Sequence, residues 1–349
     1  VKDGFDIVIG NPPYGAKVSA EDKKYYTKNY EVAKTIKGMQ KGSTDTFAIF
    51  INQGFNSLKI GGQLAYIVPM AVTSSDAMTA LHNMLEKNCR TIHISSYSNR
   101  PKQIFDAACI RTSIIQFEKT GTKTEKVYTS KLVRRSESAS IPSLIEKLTF
   151  VDSYKYKLSG RYAKIGSEEE LKIVEKLFST GKKLEDYKKE SGKAFYYRTS
   201  GGRYFNVITT FSTGSSKETF MLVENSNIIA AILSTSLFWF YQQIYTNGLD
   251  LKQYEINAFP VPEISKISKS KIAEIEKKYA EYLVDIDKNA IVHKTSSYNV
   301  DSFKEYKIRK SKNLIDELDD LICPLYNLSQ EQTEFIKSYE IQYRVNDDE

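Results

Sequence analysis

Residues 11–14, Asn-Pro-Pro-Tyr, bring together groups that can act on a planar amine. Two consecutive prolines fix φ and remove two N–H groups, so the turn is stiff and its carbonyls stay free. The Asn11 side-chain oxygen and the Pro12 carbonyl, held side by side, can accept hydrogen bonds from one exocyclic amine. Those bonds favour sp3 character at a conjugated nitrogen and expose its lone pair to an electrophile. Positioning and electrostatics carry such a transfer without a covalent intermediate. Pro13 stiffens the turn, and Tyr14 offers a flat face for a planar substrate. A strand ending in an ordinary Asn-Pro-Pro turn is the bland alternative. The position directly after an apolar strand favours the chemical reading.

The elements that hold this turn alternate between strand and helix over the first 118 residues. Phe5–Ile9 reads as a strand that stops at Gly10. A polar, Lys-rich stretch follows through Gly42. Apolar residues at helical spacing (Phe47, Ile51, Phe55, Leu58) then predict a helix from Thr46, ending at Lys59 to Gly62. Leu64–Val68 reads as a short buried strand closed by Pro69, 77–85 as a helix, Thr91–Tyr97 and Ile110–Phe117 as strands. This alternation predicts an α/β fold with a mostly parallel, doubly wound sheet.

Further along, residues 119–142 turn polar and basic and mark a first boundary. Ser167 with Glu170 announces a capped helix over 168–178. Residues 184–224 are aromatic, Gly-rich and strand-like, and 227–245 are apolar and helical. Phe259-Pro260-Val261-Pro262 is a rigid extended exit. Charged helices are expected over 267–287 and 303–322, and a last one, capped by Ser329 and Gln332, over 330–339. The expected organisation is a catalytic region over 1–120, a linker or sheet edge over 121–150, an α+β domain over 151–264 and a helical region over 265–349.

At 349 residues the chain has room for two or three cores. Hydrophobic content of 41% and charged content of 27% are those of an ordinary globular protein. No apolar run reaches the ~20 residues of a membrane span. Three cysteines (Cys89, Cys109, Cys323) without paired spacing and no signal peptide lead us to expect a cytoplasmic setting. The first residue is Val1, which suggests a domain of a longer protein. The net charge of +7 and pI of 8.9 are compatible with a polyanionic partner without requiring one. The three histidines (His82, His93, His293) show no metal spacing, so no metal site is expected.

The loop resembles the Asn-Pro-Pro-Tyr catalytic loop of amino-methyltransferases that use S-adenosylmethionine, and more narrowly of N6-adenine DNA methyltransferases of restriction-modification systems. The order continues past the loop: a helix (45–58), Gly61-Gly62, a strand ending Val68-Pro69, and then Ile104-Phe105 before a β-rich run. The resemblance implies part of a Rossmann-like methyltransferase sheet. It gives Asn11, Pro12, Pro13 and Tyr14 the catalytic roles. It stacks the extruded adenine between Tyr14 and Phe105, which base flipping out of duplex DNA requires. Plain core packing is the competing role for Phe105. A cytosine-C5 mechanism would need a thiol nucleophile, and Cys323-Pro324 has the wrong order for that.

Downstream, residues 193–205 mix aromatics with Arg198 and Arg203 around a Gly-Gly turn, and Phe259–Pro262 closes the segment. This resembles the target-recognition domain of fused restriction-methylation enzymes. Lys17, Tyr197, Arg198 and Arg203 are the candidates for DNA contact. The aromatic run 238–241 reads as core. The family's glycine-rich cofactor turn and acidic strand end belong upstream of the loop. The expectation is therefore that this chain alone binds S-adenosylmethionine poorly, is inactive alone, and needs the N-terminal methyltransferase half or a partner subunit. No upstream Pro-Asp accompanies Glu170-Leu171-Lys172, so no nuclease is expected within it. The readings kept open beside DNA adenine methylation are methylation of RNA or of a protein glutamine, and a non-catalytic DNA-specificity module.

Overall fold

The computed structural model describes residues 3–36, 42–105, 109–200, 206–294 and 302–344. Two compact units divide the chain, Val1–Leu171 with Ile244–Asn247, and Lys172–Gln243 with Gly248–Glu349.

The first unit is built on a six-stranded sheet of β1 (Phe5–Gly10), β2 (Leu58–Pro69), β3 (Thr91–Tyr97), β4 (Thr112–Glu118), β5 (Lys126–Val133) and β6 (Val151–Asp152), in the order β1-β2-β4-β3-β5-β6. β1 pairs parallel with β2, and β3 parallel with β5. β4 runs antiparallel to both β2 and β3, and β6 antiparallel to β5. The sheet is therefore α/β as expected but mixed: four strands share one direction and two oppose it. The reversal follows from the connection after β3, whose described residues form no helix of the kind a parallel crossover needs.

α1 (Ala20–Asn29), α2 (Thr46–Ser57) and α3 (Thr79–Asn88) are the helices of eight or more residues among the first 105. α2 carries Phe47, Ala48, Ile51 and Phe55 into a core shared with Leu64 and Val68 of β2, Leu81 and Leu85 of α3, and Ile92 and Ile94 of β3. Lys119 closes the C-terminus of α2, donating to the Phe55 and Leu58 carbonyls at 3.1 and 2.8 Å. α1 interrupts a stretch whose charge pattern showed no apolar period, and it has no buried residue. β5 lies within the basic stretch 119–142, where alternating burial of Val127, Thr129 and Leu132 holds it in the sheet.

In the second unit β7 (Ala194–Arg198), β8 (Ile208–Thr209) and β9 (Glu218–Leu222) form an antiparallel sheet in the order β9-β7-β8. The expected long apolar helix is two, α4 (Ser226–Leu233) and α5 (Ser236–Tyr245), bent by 66°. Ser234 and Thr235 turn their hydroxyls back onto the Ala230 and Ile232 carbonyls there. Leu237 to Tyr241 are each no more than 1% exposed, so the aromatic run is core. No single described helix is long and apolar enough to cross a membrane.

α6 (Lys269–Lys288) follows, then a hairpin of β10 (Ile291–Lys294) and β11 (Ser302–Glu305), then α7 (Lys312–Ile322) and α8 (Gln330–Ser338). The hairpin and the short turn 308–311 replace the first part of the helix expected over 303–322. The two β-branched residues Ile291 and Val292 favour an extended chain, and the register runs from Ile291 opposite Glu305 to Lys294 opposite Ser302. α8 is closed by the expected Ser329–Gln332 capping box.

Asp319 on α7 is fully buried, accepting the Ser236 N–H at 3.0 Å, and Arg344 donates to the Ser236 hydroxyl at 3.1 Å. The Arg344 guanidinium also lies 4.4 Å over the Trp239 ring. Burial pushes the Asp319 carboxyl from 3.8 up to about 7. An acid raised in the folded state holds a proton there that the unfolded chain has lost. Stability therefore falls as pH rises from near 4 through about 7. We expect urea midpoints of the second unit to drop between about pH 5 and about pH 7.5, and Asp319→Asn to flatten that dependence.

Candidate active site

β1 ends at Gly10 and delivers Asn11 to Tyr14 at the C-terminal edge of the sheet. Gly10 is required by what lies beneath it: a Cβ there would sit 3.1 Å from the Tyr66 ring. Tyr66 is itself lodged against α2, where a Cβ on Gly54 would meet its hydroxyl at 2.7 Å. The ring is 8% exposed, and burial raises its phenol above the ordinary value. Parallel register pairs Gly10 with Tyr66 and Val8 with Leu64, so the strand end and the phenol ring share one face.

Within the loop Pro12 is buried, Asn11 and Pro13 are exposed and Tyr14 is half-buried against the hydrophobic core. Thr46, the first residue of α2, donates its hydroxyl proton to the Pro13 carbonyl at 2.7 Å. This tie across 33 residues fixes the loop from the side opposite the strand. Among the described residues neither the Asn11 side chain nor the Pro12 carbonyl has a hydrogen-bond partner. Both acceptors are thus available to a ligand, on a backbone held at two points.

Phe105 is half-buried in the connection leaving the C-terminal end of β3. Since β1 and β3 run the same way, their following loops leave the same edge of the sheet. Tyr14 and Phe105 are thus placed on loops of one edge, their strands three spacings, or ~14 Å, apart. Lys17 is exposed between the loop and α1.

The glycine pair before the second strand's apolar run serves packing. Gly61 has φ +80°, and a Cβ on Gly62 would meet the Phe5 carbonyl at 2.6 Å, so the pair lets β1 approach β2. The turns that follow β1, β2, β3 and β5 open on Asn11, Met70, Ser98 and Arg134, without the glycine-rich cradle a nucleoside cofactor would need.

In the second unit Arg198 ends β7 opposite Glu218, with its Nε buried and without a hydrogen-bond partner. Tyr197 is 2% exposed and turns inward with Phe195, which removes it as a DNA-stacking residue. Strand alternation puts Tyr196 on the other face, paired with Phe220 at 5.8 Å between ring centroids. Phe220 is 57% exposed. Arg203 lies outside the described residues. Among the described residues no group of three acidic, His or Cys side chains could hold a metal ion.

Thr46, Gly54 and Tyr66 escaped the sequence reading. Each acts through a contact distant in sequence, and the one local signal was a hydroxyl residue at a helix start.

Residues 1–105 match the family described as Eco57I restriction-modification methylase. Over 96 residues the chain is 30% identical to Type II methyltransferase M.TthHB8I of Thermus thermophilus, covering 26% of this chain and 21% of that protein. Over 214 residues it is 24% identical to Type II restriction enzyme and methyltransferase RM.Eco57I of Escherichia coli, covering 58% of this chain and 19% of that one. Among solved structures, the M protein of Type I restriction enzyme EcoKI aligns over 40% of this chain and 27% of its own, with a TM-score of 0.29 and 19% identity. The chain spans about a fifth of the length of those two curated relatives. The matched stretch, which holds the strand-end loop, is similar to restriction-modification methylases.

The seat of Tyr66 can be tested by Gly54→Ala. Alanine gains about 1 kcal/mol of helix propensity over glycine. The new Cβ would stand 2.7 Å from both Leu64 Cδ1 and Tyr66 Oη. Overpacking of that kind costs roughly 1–3 kcal/mol, so we expect net destabilisation by chemical denaturation. Adding Tyr66→Phe, which removes one of the two clashing atoms, should recover part of it.

Proposed function

We propose that this chain is the base-accepting half of a site-specific DNA adenine N6-methyltransferase of a restriction-modification system, working in the cytoplasm. The observation that carries the reading is the pair of unclaimed acceptors, Asn11 Oδ1 and Pro12 O, on a loop tied down by Thr46. Two N6 hydrogens of adenine donate to these two oxygens. The nitrogen is thereby held with its lone pair turned away from the ring, ready to accept a methyl group. Tyr14 and Phe105 hold the extruded base between flat faces. Arg198, the Tyr196–Phe220 face and Arg203 read the flanking duplex.

The methyl donor, S-adenosylmethionine, is held by residues outside these 349. Support comes from β1. It is an edge strand, and Phe5, Ile7 and Ile9 are 49%, 64% and 77% exposed along one face. Fully burying each such side chain is worth roughly 1.5–3 kcal/mol. An unpaired edge with an apolar face is a template for another strand. The occupant we assign is the cofactor-binding half of the same methyltransferase, joined in cis or supplied as a subunit.

Transfer of labelled methyl groups to duplex DNA by the protein containing this chain and the cofactor half tests the reading. Asn11→Ala should abolish adenine N6 labelling while DNA binding persists. Labelling confined to RNA or to protein glutamine would refute it. Calorimetric titration of S-adenosylmethionine into this chain alone should give no micromolar isotherm. A paired Ile7→Asp and Ile9→Asp variant should lose labelling in the presence of the cofactor half.

A further inference from the structure

We propose that α1 is a contact for the DNA phosphate backbone beside the target base, made by Lys24, Tyr25 and Lys28. This inference rests on the DNA reading of the Asn11–Tyr14 loop and adds a site that the reading did not contain.

The starting point is how little holds α1 outward of its own sequence. Ser19 caps it, accepting the Asp22 N–H at 3.0 Å, and Glu21 and Asp22 occupy its first turn, where they complement the helix dipole. None of its ten residues is buried. A helix this short is marginal in water unless one face packs. Tyr26 supplies that face, with Tyr30 just beyond. Both pack on the same core as Tyr14, and their rings meet edge to face at 5.8 Å.

The opposite side is left to solvent. At 100° per residue Lys24 and Lys28 lie roughly opposite Tyr26 and Tyr30, and Tyr25 sits between the two sides, its ring edge to face with those of Tyr26 and Tyr30 at 6.3 and 6.5 Å. Tyr25 is 58% exposed, and both lysines are exposed. Among the described residues neither lysine has an acidic partner, whereas many other lysines are paired, among them Lys59, Lys157, Lys304 and Lys337. The nearby acids are placed elsewhere: Glu21 and Asp22 stand in the first turn, where Asp22 bonds the Ser19 hydroxyl, and Glu31 beyond the helix pairs with Lys87. The C-terminal turns therefore present two unneutralised cations about 6 Å apart along the axis, flanking a phenol. Cations at that spacing with an aromatic between them suit successive phosphates of a strand.

Reach is sufficient. Five residues (15–19) separate Tyr14 from α1, so the helix begins within about 20 Å of the loop at most. A duplex whose base occupies the Asn11 site must run its backbone through that neighbourhood. Because Tyr14, Tyr26 and Tyr30 share one core, helix and loop are fixed to the same support.

The test is the salt dependence of duplex binding by the whole chain, read as the slope of log affinity against log salt. Lys24→Gln with Lys28→Gln should shallow the slope by about two and weaken all DNA sequences alike. Tyr25→Ala should lower affinity about tenfold with the slope unchanged, because it removes no charge. Circular dichroism of each variant should match wild type, since no buried group is altered. A slope left unchanged by the double lysine variant, with a wild type that binds DNA, would overturn the contact and leave the methyltransferase reading standing. Failure of wild type to bind any duplex would overturn both. A slope change seen with RNA and not with DNA would overturn this proposal as well.

Discussion

The parallel pairing of β1 with β2, with the Tyr66 ring lodged under Gly10, is the constraint on which the candidate site depends. A strand ending in Asn-Pro-Pro-Tyr does chemistry only if its last residue is held still. Here the support comes from three places. The register puts Gly10 beside Tyr66, glycine at position 54 lets that ring lie against α2, and Thr46 ties the Pro13 carbonyl to the start of the same helix. The two prolines then need only transmit a geometry that strand and helix have already set.

The same strand shows an uneven distribution of burial. Its face toward α2 contributes Val8 to the core, while Phe5, Ile7 and Ile9 stay exposed on the other face. A strand rich in apolar residues on both faces belongs inside a sheet covered on both sides. The arrangement thus supports the Asn11–Tyr14 loop from the side of β1 that packs on Tyr66 and α2. It leaves the other side with the physical character of an interface.

The second unit makes a different use of its aromatics. Leu237 to Tyr241, with Phe259, fill its core. The Tyr196–Phe220 pair on the sheet β9-β7-β8 lies on the face opposite Tyr197, on the same side as Arg198. A buried Asp319 and Arg344 converge on Ser236, so polar groups orient the apolar helices as well as the exposed faces.

What the sequence determined by itself was local. Stiff turn chemistry at 11–14, capping at Ser329, and period-two or period-three-and-a-half apolar spacing are properties of neighbouring residues, and β3 matches its expected span, Thr91–Tyr97, end for end. Tertiary structure alone decided the antiparallel insertion of β4, the burial of Tyr197 in place of Tyr196, the bend between α4 and α5, and the β10–β11 hairpin. Tyr196 and Tyr197 are interchangeable in composition, and only the strand register says which face is covered. Thr46 and Pro13 likewise meet because two distant elements pack together. Contacts between residues far apart in sequence leave no periodic trace along it, so the parts of the site that hold the loop in place became visible only in the fold.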